Sequence, residues 1–123
     1  MIPRSLTPNG SVGAAAEMLV CADLLARGLD VFRSVSHLAR CDMIASSRST
    51  YEMVRIEVRC GRRNGLGKIV YTPKQEDLRT ACDLLAIVIA GGEVVYLPDD
   101  AKLVHLNRDT PATMPRHPIG KTT

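Results

Sequence analysis

The stretch RIEVRCG, residues 55–61, alternates apolar and charged side chains and decides how the rest of the chain is interpreted. Because successive side chains of a β-strand point to opposite faces, the alternation predicts a strand with Ile56 and Val58 facing a core. Glu57 and Arg59 then lie side by side on the other face. That face is either ordinary solvent-exposed ion pairing or half of an active site whose other half lies upstream.

The bulk composition predicts one small cytoplasmic domain. The chain has 123 residues, 46% of them hydrophobic and 3% aromatic, so we expect a single core of aliphatic side chains. The longest apolar run, LLAIVIA at residues 84–90, is too short to span a bilayer, and no signal-peptide pattern begins the chain. The four cysteines lie about twenty residues apart without a CxxC pair, which is typical of reduced thiols and not of a zinc site.

Local patterns predict an α/β (α+β) domain in the order α-β-β-β-(β)-α-β-β, with helices packed on a mixed central sheet. Residues 1–10 are expected to be a flexible lead-in, 11–106 the folded domain, and 107–123 a loosely ordered tail rich in proline. Helices are predicted over 11–28 and 73–82, with a short helix or edge segment within 99–106. Strands are predicted over 30–35, 41–47, 51–60, 68–72, 83–90 and 91–98, with a glycine-rich turn or mobile loop at 61–67.

The first predicted helix carries a carboxylate on its apolar side. Ser11 suits the N-cap position, and Gly28 stands where a glycine commonly ends a helix. Helical spacing places Glu17 on the apolar stripe or at its edge. A carboxylate directed toward a core costs free energy unless it is paired or bound to something. The predicted stripe consists of Ala14, Met18, Cys21, Ala22 and Leu25.

Two further carboxylates are expected to lie close together. Asp42 belongs to the second predicted strand and Glu57 to the third, and a hairpin-like connection brings both within reach of one cation. Clustered carboxylates are tolerated mainly where a metal ion or a cationic side chain compensates their charge. Mg²⁺ suits such a site, and a metal beside a phosphodiester activates water for hydrolysis. Arg59, on the same strand face as Glu57, would orient that water or offset negative charge.

Four motifs in this order resemble the PD-(D/E)xK nuclease superfamily, in its small restriction-like and homing-endonuclease-like branch. They are GAAAEMLVCADLLARGLDVF, CDMIA, IEVRCG and DLLAIVIAGGEVVYLP, and the resemblance runs from Gly13 to Pro98. It implies a restriction-endonuclease-like core and a metal-dependent DNA endonuclease of restriction, homing or resolvase type. It also implies Mg²⁺, or Mn²⁺ in its place, as the cofactor, and DNA and a second copy of the chain as partners.

The resemblance also assigns roles to single residues. Asp42 matches the metal-binding aspartate, Glu57 matches the acidic member of the (D/E)xK pair, and the Val58 carbonyl is a further metal ligand. Glu17 matches a helix glutamate that contacts a metal-bound water or a second metal. Arg59 stands where the family has lysine, and an arginine cannot act as a general base.

Basic residues around the third strand are candidates for DNA contact on a chain of net charge +3. The segment GRRNGLGK fits contact with phosphates, and it fits a mobile hairpin tip equally well. Lys68 is also a candidate to replace the family lysine on the face of Glu57. The DNA-contacting set is Arg55, Arg62, Arg63, Lys68 and Lys74.

Three interpretations are therefore open. The first is the active nuclease, and the second is a catalytically weakened relative that binds DNA or a protein partner without cleavage, an alternative that Arg59 raises. The third is an unrelated α/β domain in which the charged residues form strand-face ion pairs. Asp83, at a position that is often acidic in the family, is interpreted as structural. The nuclease interpretation fails if Asp42 and Glu57 lie far apart.

Overall fold

A computed structural model describes residues 7–35, 41–71 and 82–108, with side chains from Val12 onward. The described chain forms a six-stranded mixed sheet with two helices, which confirms the predicted α+β class. The helix predicted over 73–82 lies outside the described residues except for Cys82, and so does the tail from residue 109 onward. The elements are α1 Thr7–Ala26, β1 Asp30–Arg33, β2 Met43–Ser46, β3 Met53–Arg63, β4 Ile69–Tyr71, β5 Leu84–Ile89, β6 Glu93–Leu97 and α2 Ala101–Arg108.

Helix α1 begins earlier than predicted. It starts at Thr7, so Ser11 is not its N-cap and residues 7–10 are helical instead of belonging to a lead-in. Pro8 fits the first turn because the backbone N–H groups there have no partner within the helix. The end of the helix is as predicted, since Gly28 takes a left-handed φ of 87° and its N–H donates to the Leu25 carbonyl at 2.9 Å.

The buried face of α1 is rotated relative to the prediction. Ala16, Val20 and Leu24 are buried, and Cys21 lies at the border of this face. A helix that is apolar on most sides does not reveal its buried face by composition alone, so contact with the sheet selects it. The other four residues of the predicted stripe are exposed: Ala14, Met18, Ala22 and Leu25.

The core lies between the two helices and one face of the sheet. Ile56 and Val58 of β3 face this core, as the alternation predicted, and Leu84 of β5 lies beside Ile56 in the parallel register. Leu103 of α2 is fully buried in the same core. Each large aliphatic side chain buried in this way contributes about 1.5–3 kcal/mol. Of the described helices, none is long and apolar enough to cross a membrane.

Strand β3 is the centre of the sheet. Two different strands pair with separate parts of one of its edges. Along the first edge β5 runs parallel to it over residues 56–61. Along the second edge β2 pairs with it as far as Ile56, opposite Met43, and β4 pairs with it from Gly61, opposite Tyr71. Among the described strands none pairs with residues 57–60 on this second edge. We call this interval the β3 gap.

The glycine-rich turn after β3 is shorter than the predicted turn over residues 61–67. Residues 61–63 continue β3, and only residues 64–67 turn. The Asn64 N–H donates to the Lys68 carbonyl at 2.8 Å, and the Asn64 Oδ1 accepts from the Leu66 and Lys68 N–H groups at 2.8 and 3.0 Å. These bonds make the tip an ordered hairpin turn.

The start of β5 is fixed to β3 by Asp83 and Arg55. The Asp83 carboxylate accepts hydrogen bonds from the backbone N–H, Nε and Nη2 of Arg55 at 2.8, 3.2 and 3.1 Å. In return, the Asp83 N–H donates to the Arg55 carbonyl at 2.8 Å. Hydrogen bonds from the Arg55 side chain hold the pKa of the Asp83 carboxyl below its ordinary value. These contacts agree with the structural role expected for Asp83.

Gly61 is required where β4 and β5 approach β3 most closely. A Cβ atom at this position would lie 2.6 Å from Ile87 Cγ2 and 2.9 Å from the Val70 carbonyl oxygen. We expect Gly61→Ala to lower the free energy of unfolding by roughly 1–3 kcal/mol, because backbone atoms must shift. Gly13→Ala is the control, since open space surrounds that helical glycine. Gly13→Ala should raise the free energy of unfolding by about 0.5–1 kcal/mol, as measured by urea denaturation. A Gly61→Ala protein as stable as wild type would contradict the close packing at this position.

Asp83→Asn should destabilise the protein at pH 7 by roughly 1 kcal/mol, because it weakens the bonds to Arg55. A carboxyl whose pKa is lower in the folded than in the unfolded protein stabilises the fold above its unfolded pKa. This contribution disappears as the pH falls through the lower, folded pKa. The difference between wild type and variant should therefore shrink below about pH 4 in urea denaturation series. A difference that stays constant with pH would contradict the ionic origin.

Candidate functional site

The β3 gap brings Asp42 next to Glu57. The Asp42 N–H donates to the Ile56 carbonyl at 3.0 Å, which extends the β2–β3 pairing by one residue. One step further, a side chain replaces the backbone, because the Asp42 Oδ2 accepts the Val58 N–H at 2.8 Å. Asp42 thus contacts the residue on each side of Glu57. This is the proximity that the nuclease interpretation requires.

Glu57 is buried and paired with Arg59. The residue is only 8% exposed, and its Oε2 forms an ion pair with Arg59 Nη1. The same nitrogen donates to the Val58 carbonyl at 3.0 Å. The alternation predicted that the two charged residues share a face, and the ion pair confirms it. Burial of a carboxylate without such a partner would be strongly unfavourable.

One donor of Arg59 is left unsatisfied. Its Nε atom is buried and has no hydrogen-bond partner among the described residues, while the side chain as a whole is 16% exposed. An unsatisfied buried donor costs about 1–3 kcal/mol. The contacts of Nη1 stabilise this position of the guanidinium, whereas the missing hydrogen bond at Nε destabilises it.

Oxygen atoms of the kind that Mg²⁺ prefers surround the β3 gap. They are the carboxylates of Asp42 and Glu57 and the carbonyl of Val58. In the described part of the chain, no group of three or more His, Cys, Asp or Glu side chains could hold a metal ion. The residues present could offer a cation at most these few oxygen ligands, and water or phosphate oxygen would have to complete its shell.

Glu17 is half-buried at the edge of the buried face of α1, which is the second of the two placements that its helical spacing allowed. Its Oε1 accepts a hydrogen bond from Arg33 Nη2 at 2.7 Å, which raises the pKa of Arg33. Because no three acidic groups come together among the described residues, Glu17 does not complete a cluster with Asp42 and Glu57. Its contact with a metal-bound water stays a prediction.

Arg33 is a charged residue near the site that the sequence patterns did not single out. Besides its bond to Glu17, it interacts electrostatically with Asp42, and the Ser34 N–H donates to the Asp42 carbonyl at 3.0 Å. Its position at the end of a strand expected to adjoin Asp42 was the available signal. Arg33 thus links the helix carboxylate to the strand carboxylate.

Two thiols adjoin the carboxylates of the site. Burial raises the pKa of Cys41, and the negative charges of Glu57 and Asp42 act in the same direction. Burial likewise raises the pKa of Cys82, with Glu57 and Asp83 adding to the effect. A raised pKa keeps both thiols protonated, so neither has the character of a catalytic nucleophile.

Two of the arginines expected to contact DNA are held by carboxylates. Arg55 is bound to Asp83, as described above, and Arg63 contacts both carboxylate oxygens of Glu93 at 3.3 and 2.7 Å. These ion pairs give both arginines a structural role, since Arg55 joins β3 to the start of β5 and Arg63 joins β3 to β6 across β5. Contact with DNA would require them to share or exchange their partners.

The other candidates for DNA contact are exposed or lie outside the described residues. Arg62 and Lys68 are exposed and make no ion pair within the described ranges, whereas Lys74 falls outside them. Lys68 lies opposite Asn64, five residues along β3 from Arg59, a separation of about 17 Å at the usual strand rise. Lys68 therefore cannot replace the family lysine beside Glu57, and that hypothesis was wrong.

The fold is similar to that of the bacterial homing endonuclease I-Ssp6803I. The two structures superpose with a TM-score of 0.52 over 74% of this chain and 69% of that chain, at 14% sequence identity. No model of a known protein family and no curated protein sequence matches the chain. At this identity the similarity concerns the fold alone. The chain thus has a fold similar to that of this homing endonuclease, and Asp42 contacts the central strand next to Glu57.

Proposed function

We propose that the protein is a metal-dependent DNA endonuclease of the PD-(D/E)xK type, of restriction, homing or resolvase kind. The hydrogen bond from the Val58 N–H to Asp42 carries this proposal, because it fixes Asp42 beside Glu57 and a backbone carbonyl. The nuclease-like fold supports it independently. The proposal thus has two supports, the contact of Asp42 with the strand that carries Glu57 and a fold similar to that of a homing endonuclease.

In the proposed reaction Asp42, Glu57 and the Val58 carbonyl would hold Mg²⁺, or Mn²⁺ in its place. When bound, such an ion polarises the phosphodiester and lowers the pKa of a water molecule. Asp42 is held in position by the Val58 N–H, so its carboxylate needs little reorganisation. Arg59 stays protonated and therefore serves to offset negative charge on the phosphate, not to accept a proton.

We propose that two copies of the chain act together on DNA. Each chain contributes one pair of Asp42 and Glu57, so a two-fold homodimer supplies one site for each strand of the duplex. The exposed Arg62 and Lys68 at the hairpin tip supply positive charge for phosphate contact. A cytoplasmic location belongs to the same proposal, with all four cysteines as free thiols.

A second candidate function is DNA binding without cleavage. Arg59 favours it, because its guanidinium already occupies oxygen atoms of Glu57 and Val58 that a metal ion would use. A protein of this kind would hold DNA through the basic hairpin and leave it intact. Cleavage and binding must therefore be measured separately.

We expect the protein to cleave supercoiled plasmid when Mg²⁺ or Mn²⁺ is present and to lose cleavage on chelation. Asp42→Asn and Glu57→Gln should each lower the rate on the order of 100-fold, since each removes a charged metal ligand. Glu52→Gln is the matched control, an exposed carboxylate on the same strand hairpin that pairs with His105. It should cleave like wild type.

The products of this assay also test the homodimer. Two sites acting in concert should yield linear plasmid with little nicked circle, whereas a single site should accumulate nicked circle. Unchanged cleavage by Asp42→Asn would contradict the assigned site. Intact plasmid together with tight DNA binding would support the second candidate function.

Binding to DNA should depend on the two exposed cations of the hairpin tip. We expect the double variant Arg62→Ala, Lys68→Ala to weaken binding, and to reduce the salt dependence of log K by about one for each lost phosphate contact. Arg108→Ala, an exposed arginine at the end of α2, is the control and should bind normally. Fluorescence anisotropy between about 50 and 200 mM salt measures both effects. Equal slopes for the double variant and wild type would exclude contact at the tip.

A further inference from the structure

We infer that Arg59 competes with the divalent cation for the same oxygen atoms and must leave the β3 gap before the cation can bind. This inference deepens the proposed function and rests on it, because it concerns the proposed metal site. Its observation is that a single atom, Arg59 Nη1, contacts both the Glu57 Oε2 and the Val58 carbonyl oxygen. These are two of the three oxygen groups assigned to the cation.

The competition is a matter of space. Mg²⁺ lies about 2.0–2.1 Å from its ligand oxygens, so an ion bound to these two atoms would overlap the guanidinium nitrogen that now touches both. Glu57 is 8% exposed, so its carboxylate is stabilised by a positive charge beside it. Because Arg59 Nη1 and the cation would use the same two oxygen atoms, binding of one releases the other.

The unsatisfied Nε of Arg59 indicates that its guanidinium gains a hydrogen bond when it leaves. In its present position Nε is buried without a partner among the described residues. Outside the gap the planar guanidinium presents all of its donors, and two of them match a pair of phosphate oxygens. Arg59 is therefore a positioning residue that exchanges an internal carboxylate for the phosphodiester of the substrate as the cation enters.

This exchange predicts that the cation binds weakly to the protein alone. The displaced guanidinium must find a new acceptor, so phosphodiester and cation should strengthen the binding of each other. A variant without the guanidinium should bind the cation tightly even without DNA. Such behaviour separates Arg59 from a residue that merely supports the fold.

The test is a titration of the full chain with Mn²⁺ in the absence of DNA. Electron paramagnetic resonance measures the bound Mn²⁺, and the rise in melting temperature gives a second measure of binding. Arg59→Gln and Arg59→Met should each lower the Kd for Mn²⁺ about tenfold or more relative to wild type. Arg59→Met replaces the guanidinium by an apolar side chain of similar length. It takes the place of the glutamine variant if that variant folds poorly. Arg48→Gln is the control, because that arginine pairs with Asp30 outside the gap and should leave the Kd unchanged.

A second measurement follows the guanidinium itself. In wild-type protein, Mg²⁺ together with a phosphodiester should shift the Nε–Hε resonance of Arg59, while that of Arg48, which pairs with Asp30, stays in place. Equal Mn²⁺ affinity in wild type and both Arg59 variants, abolished in each by Glu57→Gln, would overturn the inference and leave the metal site standing. Absence of Mn²⁺ binding in every variant would overturn the metal site as well.

Discussion

The structure around the candidate site depends on one constraint: between β2 and β4, the second edge of β3 pairs with no strand among the described residues. Backbone N–H and carbonyl groups inside a protein need hydrogen-bond partners, and Val58 cannot turn its groups away because its side chain is packed in the core. Side chains replace the missing strand. Asp42 accepts the Val58 N–H, and Arg59 donates to the Val58 carbonyl. The gap thus assembles charged residues at the middle of the sheet.

The same constraint distinguishes the charged residues that the backbone of Val58 requires from the one that it does not require. Asp42 and Arg59 each satisfy one backbone group of Val58, so a purely structural account covers both. Glu57 bonds to neither of those groups. Its burial at 8% exposure creates an electrostatic cost that Arg59 then has to offset. In the proposed function this carboxylate is a metal ligand, a role that satisfying the backbone groups of Val58 does not require of it.

The local alternation of side chains was sufficient to predict β3. It was not sufficient where contacts between residues far apart in the sequence determine the structure. The alternation at residues 55–61 correctly placed Ile56 toward the core and paired Glu57 with Arg59, because strand geometry repeats every two residues. The buried face of α1 was predicted wrongly, since the helix is apolar on most of its sides. Gly61 was assigned to a loop because its close neighbour Ile87 lies far away in the sequence. The acidic partners of Arg55 and Arg63 escaped prediction for the same reason.

The contacts available in the gap explain why an arginine suits position 59 better than a lysine. Two acceptors are present there, the Glu57 carboxylate and the Val58 carbonyl, and one guanidinium nitrogen reaches both. A lysine ammonium is a strongly hydrated point charge, whose burial between these groups would cost more. Arginine also cannot lose its proton, so the buried Glu57 keeps a charged partner at every physiological pH. Arg59 therefore cannot serve as a general base, and it stabilises the buried carboxylate. The chemistry left to Arg59 is electrostatic: its Nη1 neutralises Glu57, and in the proposed reaction the same nitrogen could not neutralise a phosphate at the same time.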